Sequence, residues 1–353
     1  MRVLHVISTL DPGGAENALL DLARGLQARG LTQTVAHLIG PGSMAPQFRS
    51  LGIEVLKSPF ESFPELPLTL FHLHSLMEAH DLTHSHLLKA NSLCSLAAPA
   101  GRPLVGSRHN DERILERPWV AVLHRMLSRK EQAHVAISPA VRDYYIGKGL
   151  EAEKFTVIPY GFEPVSAPPR EDLRKEFGLG EGPLLLHAGR LVPQKGQAFL
   201  VEAVAAIPGA SLLVCGEGPL RGDLESRVSA LGLAPRVRFL GRRADLARLM
   251  VSSDLFVLPS LWEGLGRVLL ECMDLGLPVV ASDVSAIPGV LGDTGWLAKP
   301  GSTEALASAI RQALADKDSW PSRRERMRSR LRGQFSVSAY VEAHRQLYER
   351  LRS

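Results

Sequence analysis

Four side chains in the second half of this sequence have types and spacing that suit joint chemistry: Glu263 and Glu271, with seven residues between them, and Arg190 and Lys195, five apart. Glu263 sits in Trp262-Glu263-Gly264-Leu265-Gly266, one residue after the apolar run Leu255–Ser260. A buried strand, a glycine turn and then a helical pattern put Glu263 in the loop and Glu271 inside the helix. Gly264, Leu265 and Gly266 offer backbone N–H groups at that helix start, a place for an anion. Carboxylates only accept hydrogen bonds, so the two glutamates suit the hydroxyls of a sugar or ribose and not a phosphate. A glutamate in a first helical turn can also be a simple dipole partner; Glu271 lies beyond that turn. Arg190 and Lys195 belong to His187-Ala-Gly189-Arg190-Leu-Val-Pro-Gln-Lys195-Gly196. Glycine admits close backbone approach, and two cations at a helix start fit a diphosphate. Two surface cations at a turn would read the same way. Gly216-Glu217-Gly218 is a weaker sign, because tight turns use glycine widely.

The first half holds further candidates. Gly13-Gly14-Ala15-Glu16 opens a helical pattern after a first strand, which is a phosphate-type turn or an ordinary βα turn. His109 follows the strand Leu104–Ser107 in Arg108-His109-Asn110-Asp111. His72, His74, His84 and His86 form two His-x-His pairs, read as strand positions sharing a face. No acidic ligand accompanies them, and no metal is expected. Cys94, Cys215 and Cys272 are far apart and fit neither a disulfide framework nor zinc spacing.

The elements that must position these groups alternate. Strands are expected at Val3–Ile7, Thr34–Leu38, Gly52–Leu56, Leu82–Ser85, Leu104–Ser107, His134–Ile137 and Phe155–Pro159, with helical patterns between them. Prolines 164, 168 and 169 then interrupt the chain. The alternation restarts with strands at Pro183–His187, Ala210–Cys215, Arg236–Leu240, Leu255–Leu258 and Val279–Ala281. Helices are expected at Gln197–Ala206, Leu220–Leu231, Ala244–Met250, Gly266–Leu275 and Ser338–Arg352. This order specifies α/β architecture: two doubly wound domains, 1–164 and 165–334, with 335–353 as a closing helix.

Composition agrees. A chain of 353 residues with 45% apolar and 22% charged residues fits two globular domains. No apolar run approaches the length of a membrane span or signal peptide, so a cytoplasmic, reducing setting is expected. The net charge of +4 is local: Arg323–Arg332 carries six arginines and one glutamate, whereas residues 1–164 balance. That run reads as a solvated helix between the domains, and no nucleic-acid partner is expected. Trp119, Val122, Leu123 and Met126 form a helical stripe beside Arg125, Arg129 and Lys130. Such a stripe fits a lipid surface or packing on the domain core.

Glu263-Gly-Leu-Gly-Arg-Val-Leu-Leu-Glu271 resembles the E-x7-E signature of GT4-type retaining glycosyltransferases. Gly189-Arg190 to Lys195-Gly196, Gly216-Glu217-Gly218, Phe239-Leu240-Gly241, Gly276-Leu-Pro-Val-Val and Gly295-Trp-Leu follow in that family's order. The resemblance implies the GT-B fold, two Rossmann-like domains facing a cleft, with the final helix returning to the first domain. It implies transfer of a sugar, with retention, from a UDP- or GDP-sugar to a glycan, lipid-linked or small-molecule acceptor, as in cell-envelope polysaccharide synthesis. No cofactor or metal is then required, and peripheral membrane contact is compatible. Arg190 and Lys195 would hold the diphosphate, Glu263 the sugar hydroxyls, Glu271 the ribose, and His109 would contact the donor sugar. Gly14, Gly216, Leu240, Gly264, Leu265 and Gly266 would complete the donor site. Tyr160 stands where the family usually has Asn, Arg267 where a small or apolar residue is common, and Ser285-Ala286-Ile287 replaces a glycine-rich loop. A nucleotide-sugar 2-epimerase on the same fold and a non-catalytic sugar-nucleotide binder are the alternatives. Sugar conversion without acceptor would mark the first; intact Arg190, Lys195, Glu263 and Glu271 argue against the second.

Overall fold

The computed structural model describes every residue except Pro59, Glu61 and Ser353. Ser353 closes the expected range 335–353 and lies outside the described residues. The chain divides into two compact units, Met1–Phe162 with Phe335–Ser353, and Glu163–Gln334. The division thus falls two residues before the expected boundary.

Unit 1 contains β1 (Arg2–Thr9), β2 (Thr32–Ile39), β3 (Glu54–Lys57), β4 (Leu82–His86), β5 (Leu104–Arg108), β6 (Ala133–Ala136) and β7 (Phe155–Val157). They form one parallel sheet in the order β3-β2-β1-β4-β5-β6-β7. Alternation along β1 and β2 feeds two apolar layers. Leu4, Val6, Ala36 and Leu38 pack with Leu73, Met77 and Leu93. Ile7 and Val35 pack with Leu19, Ala23 and Phe48. The helix Val337–Arg352 lies against the first helix, Gly14–Gln27. The approach is close enough that a Cβ on Gly25 would come within 2.3 Å of Val341, so only glycine fits there.

Unit 2 contains β8 (Leu184–Ala188), β9 (Ser211–Cys215), β10 (Val237–Gly241), β11 (Leu255–Leu258), β12 (Val279–Ser282) and β13 (Trp296–Ala298). Its parallel sheet runs β10-β9-β8-β11-β12-β13. The short β13, whose sequence reads only as a glycine-aromatic motif, gains strand geometry from pairing with β12.

Two expectations are corrected. His72 and His74 lie in the helix Leu66–Glu78, where residues two apart point in different directions, and they bond separately to Ser58 and to the Ala97 carbonyl. The basic run forms the helix Trp320–Gln334, part of unit 2 and packed on the helix Arg267–Leu275. Met327 and Leu331 are buried, Arg330 donates to the Val290 carbonyl, and the Arg323 guanidinium lies 4.2 Å from the Trp296 ring centre. These contacts anchor one side of the helix within unit 2 and not between the two units, while Arg326, Arg328 and Arg332 are exposed, as a solvated helix requires.

Candidate functional site

In both sheets the strand order reverses beside the first strand, between β1 and β4 and between β8 and β11. Loops leaving the carboxyl ends of strands on either side of such a reversal diverge, which opens a crevice. The sequence candidates of unit 2 collect there. Lys195 leaves β8 and Glu263 leaves β11, and Lys195 Nζ donates to Glu263 Oε2 at 2.5 Å with both side chains mostly buried. Ser260 Oγ donates to the same oxygen at 3.1 Å. Gln194 ties the loops together, its amide donating to the Trp262 carbonyl and its own carbonyl accepting from Leu261 N–H. Sequence reasoning assigned Lys195 and Glu263 to separate parts of a ligand; the chain pairs them with one another. It missed Ser260 and Gln194, whose roles depend on contacts across the two loops.

The remaining unit 2 loops are laced to these by backbone bonds. Gly189 N–H donates to Cys215 O, Gly216 N–H to Gly241 O, and Leu191 N–H to Glu217 O. Gly216 has φ +134°, and a Cβ there would lie 2.0 Å from the Gly189 carbonyl oxygen. No other residue permits that contact. Leu240 is half-buried on β10, directly before Gly241. Arg190 is exposed beside Gly189. Gly266, at φ +80°, caps the helix Arg267–Leu275, and Gly264 and Leu265 precede it. Leu265 is buried, so any ligand meets its backbone and not its side chain. Glu271 lies one turn after Arg267 on the helix. Burial raises its pKa, with the Arg267 charge opposing. Ser285 holds φ +51°, a left-handed conformation that the family's glycine-rich loop would adopt without strain.

The matching crevice of unit 1 is built from uncharged rings. His109 follows β5, His86 ends β4, and His5 lies on β1. His109 Nδ1 is 2.7 Å from the Tyr160 hydroxyl, His109 Nε2 is 3.3 Å from His86 Nδ1, and His86 Nε2 is 3.3 Å from His5 Nδ1. Burial brings the pKa values of His5 and His109 down to about 3 and that of His86 well below its usual value. His84 bonds Tyr348 and Ser107, each at 2.6 Å. His5, His84 and His86 each bring one ring nitrogen within 4.8 Å of the others, a set of the size a metal ion takes. The nitrogens of His84 and His86 are nevertheless already engaged by these neighbours. Leu87, directly after His86, holds φ +72°, an unusual strain for a branched side chain at the end of a strand. Gly14 begins the first helix, and a Cβ there would meet nothing within 4 Å. A Cβ on its neighbour Gly13 would come within 2.4 Å of the Glu16 carboxylate, the end of a movable side chain.

Away from the strand ends, the helix Pro118–Ser128 is inside out. Its buried residues are His124 and Ser128, while Trp119 (66% exposed), Val122, Leu123 and Met126 face outward. The cause lies beneath it. Arg108 Nη2 donates to Glu131 at 2.7 Å and to Ser128 Oγ at 3.2 Å, a fully buried ion pair that demands polar neighbours.

Residues 182–316 match the family model described as glycosyl transferases group 1, and residues 12–165 match the model of glycosyltransferase family 4. The chain belongs to the GT4-type, group 1 glycosyltransferases. It is 37% identical over 166 residues to the α-D-kanosaminyltransferase of Streptomyces kanamyceticus, covering 45% of this chain and 42% of that protein. It is 28% identical over 356 residues, 90% of each, to the GDP-mannose-dependent α-(1-6)-phosphatidylinositol monomannoside mannosyltransferase of Mycobacterium tuberculosis. The matches to the first curated relatives span about half of those proteins' length. HepE of Anabaena, solved in complex with UDP-glucose, superimposes with a TM-score of 0.90 at 26% identity, over 99% of this chain and 100% of that one. The architecture is thus the two-domain GT-B-like α/β fold of the family. Among the described residues no helix is long and apolar enough to cross a membrane.

Proposed function

We propose that this chain is a hexosyltransferase acting with retention on a nucleotide-diphosphate sugar, a UDP- or GDP-sugar, and a hydroxyl acceptor on a glycan, lipid or small molecule. The observation that carries the reading is the Lys195–Glu263 pair at the β8/β11 reversal of unit 2, with the exposed Arg190 in the loop leaving β8 and the Gly264–Gly266 turn directly after Glu263. Arg190, Lys195 and the helix-start amides hold the diphosphate and stabilise the charge that grows on it as the sugar–phosphate bond lengthens. A phosphate oxygen reaching Lys195 competes with Glu263 Oε2, and Glu263 then accepts from the sugar hydroxyls. Glu271 accepts from the ribose hydroxyls, and His109 contacts the donor sugar. The acceptor hydroxyl attacks on the face of the departing phosphate, which takes its proton, so no carboxylate nucleophile is needed. The protein's own cations neutralise the leaving group, and no metal enters this scheme. UDP-glucose in the HepE structure and GDP-mannose use by the mycobacterial relative support the donor class.

The inside-out helix supports a membrane-surface role for unit 1. An exposed apolar stripe flanked by Arg125, Arg129 and Lys130 suits the interface of an anionic bilayer, where rings and chains insert and cations meet headgroups. The function is tested by incubating the protein with UDP- and GDP-sugars, with and without glycan or lipid acceptors, and following the anomeric signals by proton NMR. An α-linked product from an α-linked donor, unchanged by a chelator, supports the reading. Inverted product, or sugar conversion without acceptor, overturns it.

A further inference from the structure

Tyr160, His109, His86 and His5 form a hydrogen-bonded chain running from the turn after β7 into the middle of the sheet. Burial leaves each imidazole uncharged at neutral pH. A neutral imidazole has one N–H and one lone pair, so three in series are satisfied only if all point the same way. Two directions are open in principle, and the far end decides between them. His5 Nε2 and the Gln33 carbonyl oxygen are both buried with no standard hydrogen-bond partner, and the Gln33 side chain raises the His5 pKa, as an acceptor facing an imidazole N–H does. The amide of Gln33 is itself oriented. Its nitrogen donates to the Ala23 carbonyl at 2.9 Å and to Gln27 Oε1 at 3.3 Å, two groups that can only accept. The oxygen of Gln33 is therefore the end turned to His5, and a bare His5 Nε2 would oppose one lone pair to another. His5 Nε2 carries the proton, His5 Nδ1 accepts from His86, His86 Nδ1 accepts from His109, and His109 Nδ1 accepts from the Tyr160 hydroxyl.

We propose that Tyr160 is a positioning residue for transfer, acting as the donor at the head of a one-way chain anchored by Gln33 that holds His109 as its Nε2–H tautomer. The inference rests on the reading of His109 as a donor-contacting residue: its Nε2–H, 3.3 Å from His86 Nδ1, is the proton for which a donor oxygen competes. Tyr160 also stacks on His109, with ring centres 5.8 Å apart, so its phenyl ring and its hydroxyl act separately. Tyr160→Phe keeps the ring and removes only the O–H.

The test is nitrogen NMR of the full chain with 15N-labelled histidine, the His109 signals assigned by their loss in His109→Gln, together with steady-state kinetics. Wild type shows His109 protonated at Nε2. Tyr160→Phe keeps its melting temperature within a few degrees, mixes the two tautomers of His109, and lowers kcat roughly tenfold, the scale of one lost hydrogen bond, with KM little changed. Gln33→Leu, at the other end, mixes the tautomers in the same sense. His109 protonated at Nδ1 in wild type, or a tautomer and kcat indifferent to Tyr160→Phe, overturns the inference. Full activity in His109→Gln instead removes the underlying role of His109 while leaving the tautomer result intact, so the two failures are separable.

Discussion

The two units share one strand plan, and they fill its crevice in opposite ways. Unit 1 places neutral imidazoles at the reversal of its sheet: His5 and His86, both buried, and His109, half-buried. Unit 2 places charge there: Lys195 against Glu263, with Arg190 on the rim. The scaffold therefore fixes where a ligand is met, and the side chains fix its chemistry. Cations and aligned N–H groups suit a diphosphate, and the second crevice pairs the two at Lys195, Arg190 and the Gly264–Gly266 turn. The neutral imidazoles of the first are bonded to one another, so a hydroxyl reaching His109 would compete with His86 for its proton.

The comparison breaks most sharply at Lys195. Replacing it with Ala is expected to lower turnover by about 1,000-fold or more, since the cation both holds the diphosphate of the bound donor and stabilises the charge that grows on it in the transition state. Release of nucleoside diphosphate measures this, and near-normal turnover would contradict the phosphate assignment. Glu263→Gln is expected to cost about 100-fold in kcat, because it keeps the shape and one acceptor but frees Lys195 from its ion pair. Tight binding of the nucleoside diphosphate alone should survive that change, which calorimetry can check.

Acid should separate the units next. His5 and His109, with pKa values near 3, and His344, near 4, refuse protons that the unfolded chain accepts near 6.5. Their stabilisation is complete above about pH 6.5 and is lost as pH falls, each by up to about 1.4 kcal/mol per pH unit. Unit 2 has His187, near 4, as its one histidine, so it should lose less. Hydrogen exchange between pH 7 and 5 should show unit 1 loosening first; equal loosening would mean the imidazole cluster is not what sets its acid sensitivity. The smallest effect is at the surface. Trp119→Ser with Met126→Ser should weaken co-sedimentation with anionic vesicles several-fold and leave the melting temperature nearly unchanged, because neither side chain is buried.

Much of this plan was legible in the sequence because parallel strands buried on both faces read as short apolar runs. The expected Leu255–Leu258 matches β11, and the ranges for β1, β2 and β4 to β6 lie within a few residues of the observed strands. The ordered glycine loops and the Glu263–Glu271 spacing placed the chain in its family before any coordinate was known. Contacts between distant residues were not legible. Tyr160 reads as a variation near the hinge, and its bond to His109 spans 51 positions. The stripe at Trp119 shows in the sequence, but the side it faces depends on Arg108 and Glu131 meeting beneath the helix. His72 and His74 carry the same His-x-His pattern as His84 and His86, and only the surrounding elements make one pair helical and the other a strand.

The central claim is that charge at the β8/β11 reversal holds a nucleotide-diphosphate sugar. Thermal unfolding of the wild type and of Lys195→Ala across UDP-, GDP-, ADP- and TDP-sugars tests it most directly, since a ligand that binds only the folded chain raises the melting temperature. The account predicts a rise with a UDP- or GDP-sugar in the wild type that disappears in Lys195→Ala. No rise with any sugar nucleotide, or an equal rise in both proteins, would contradict it.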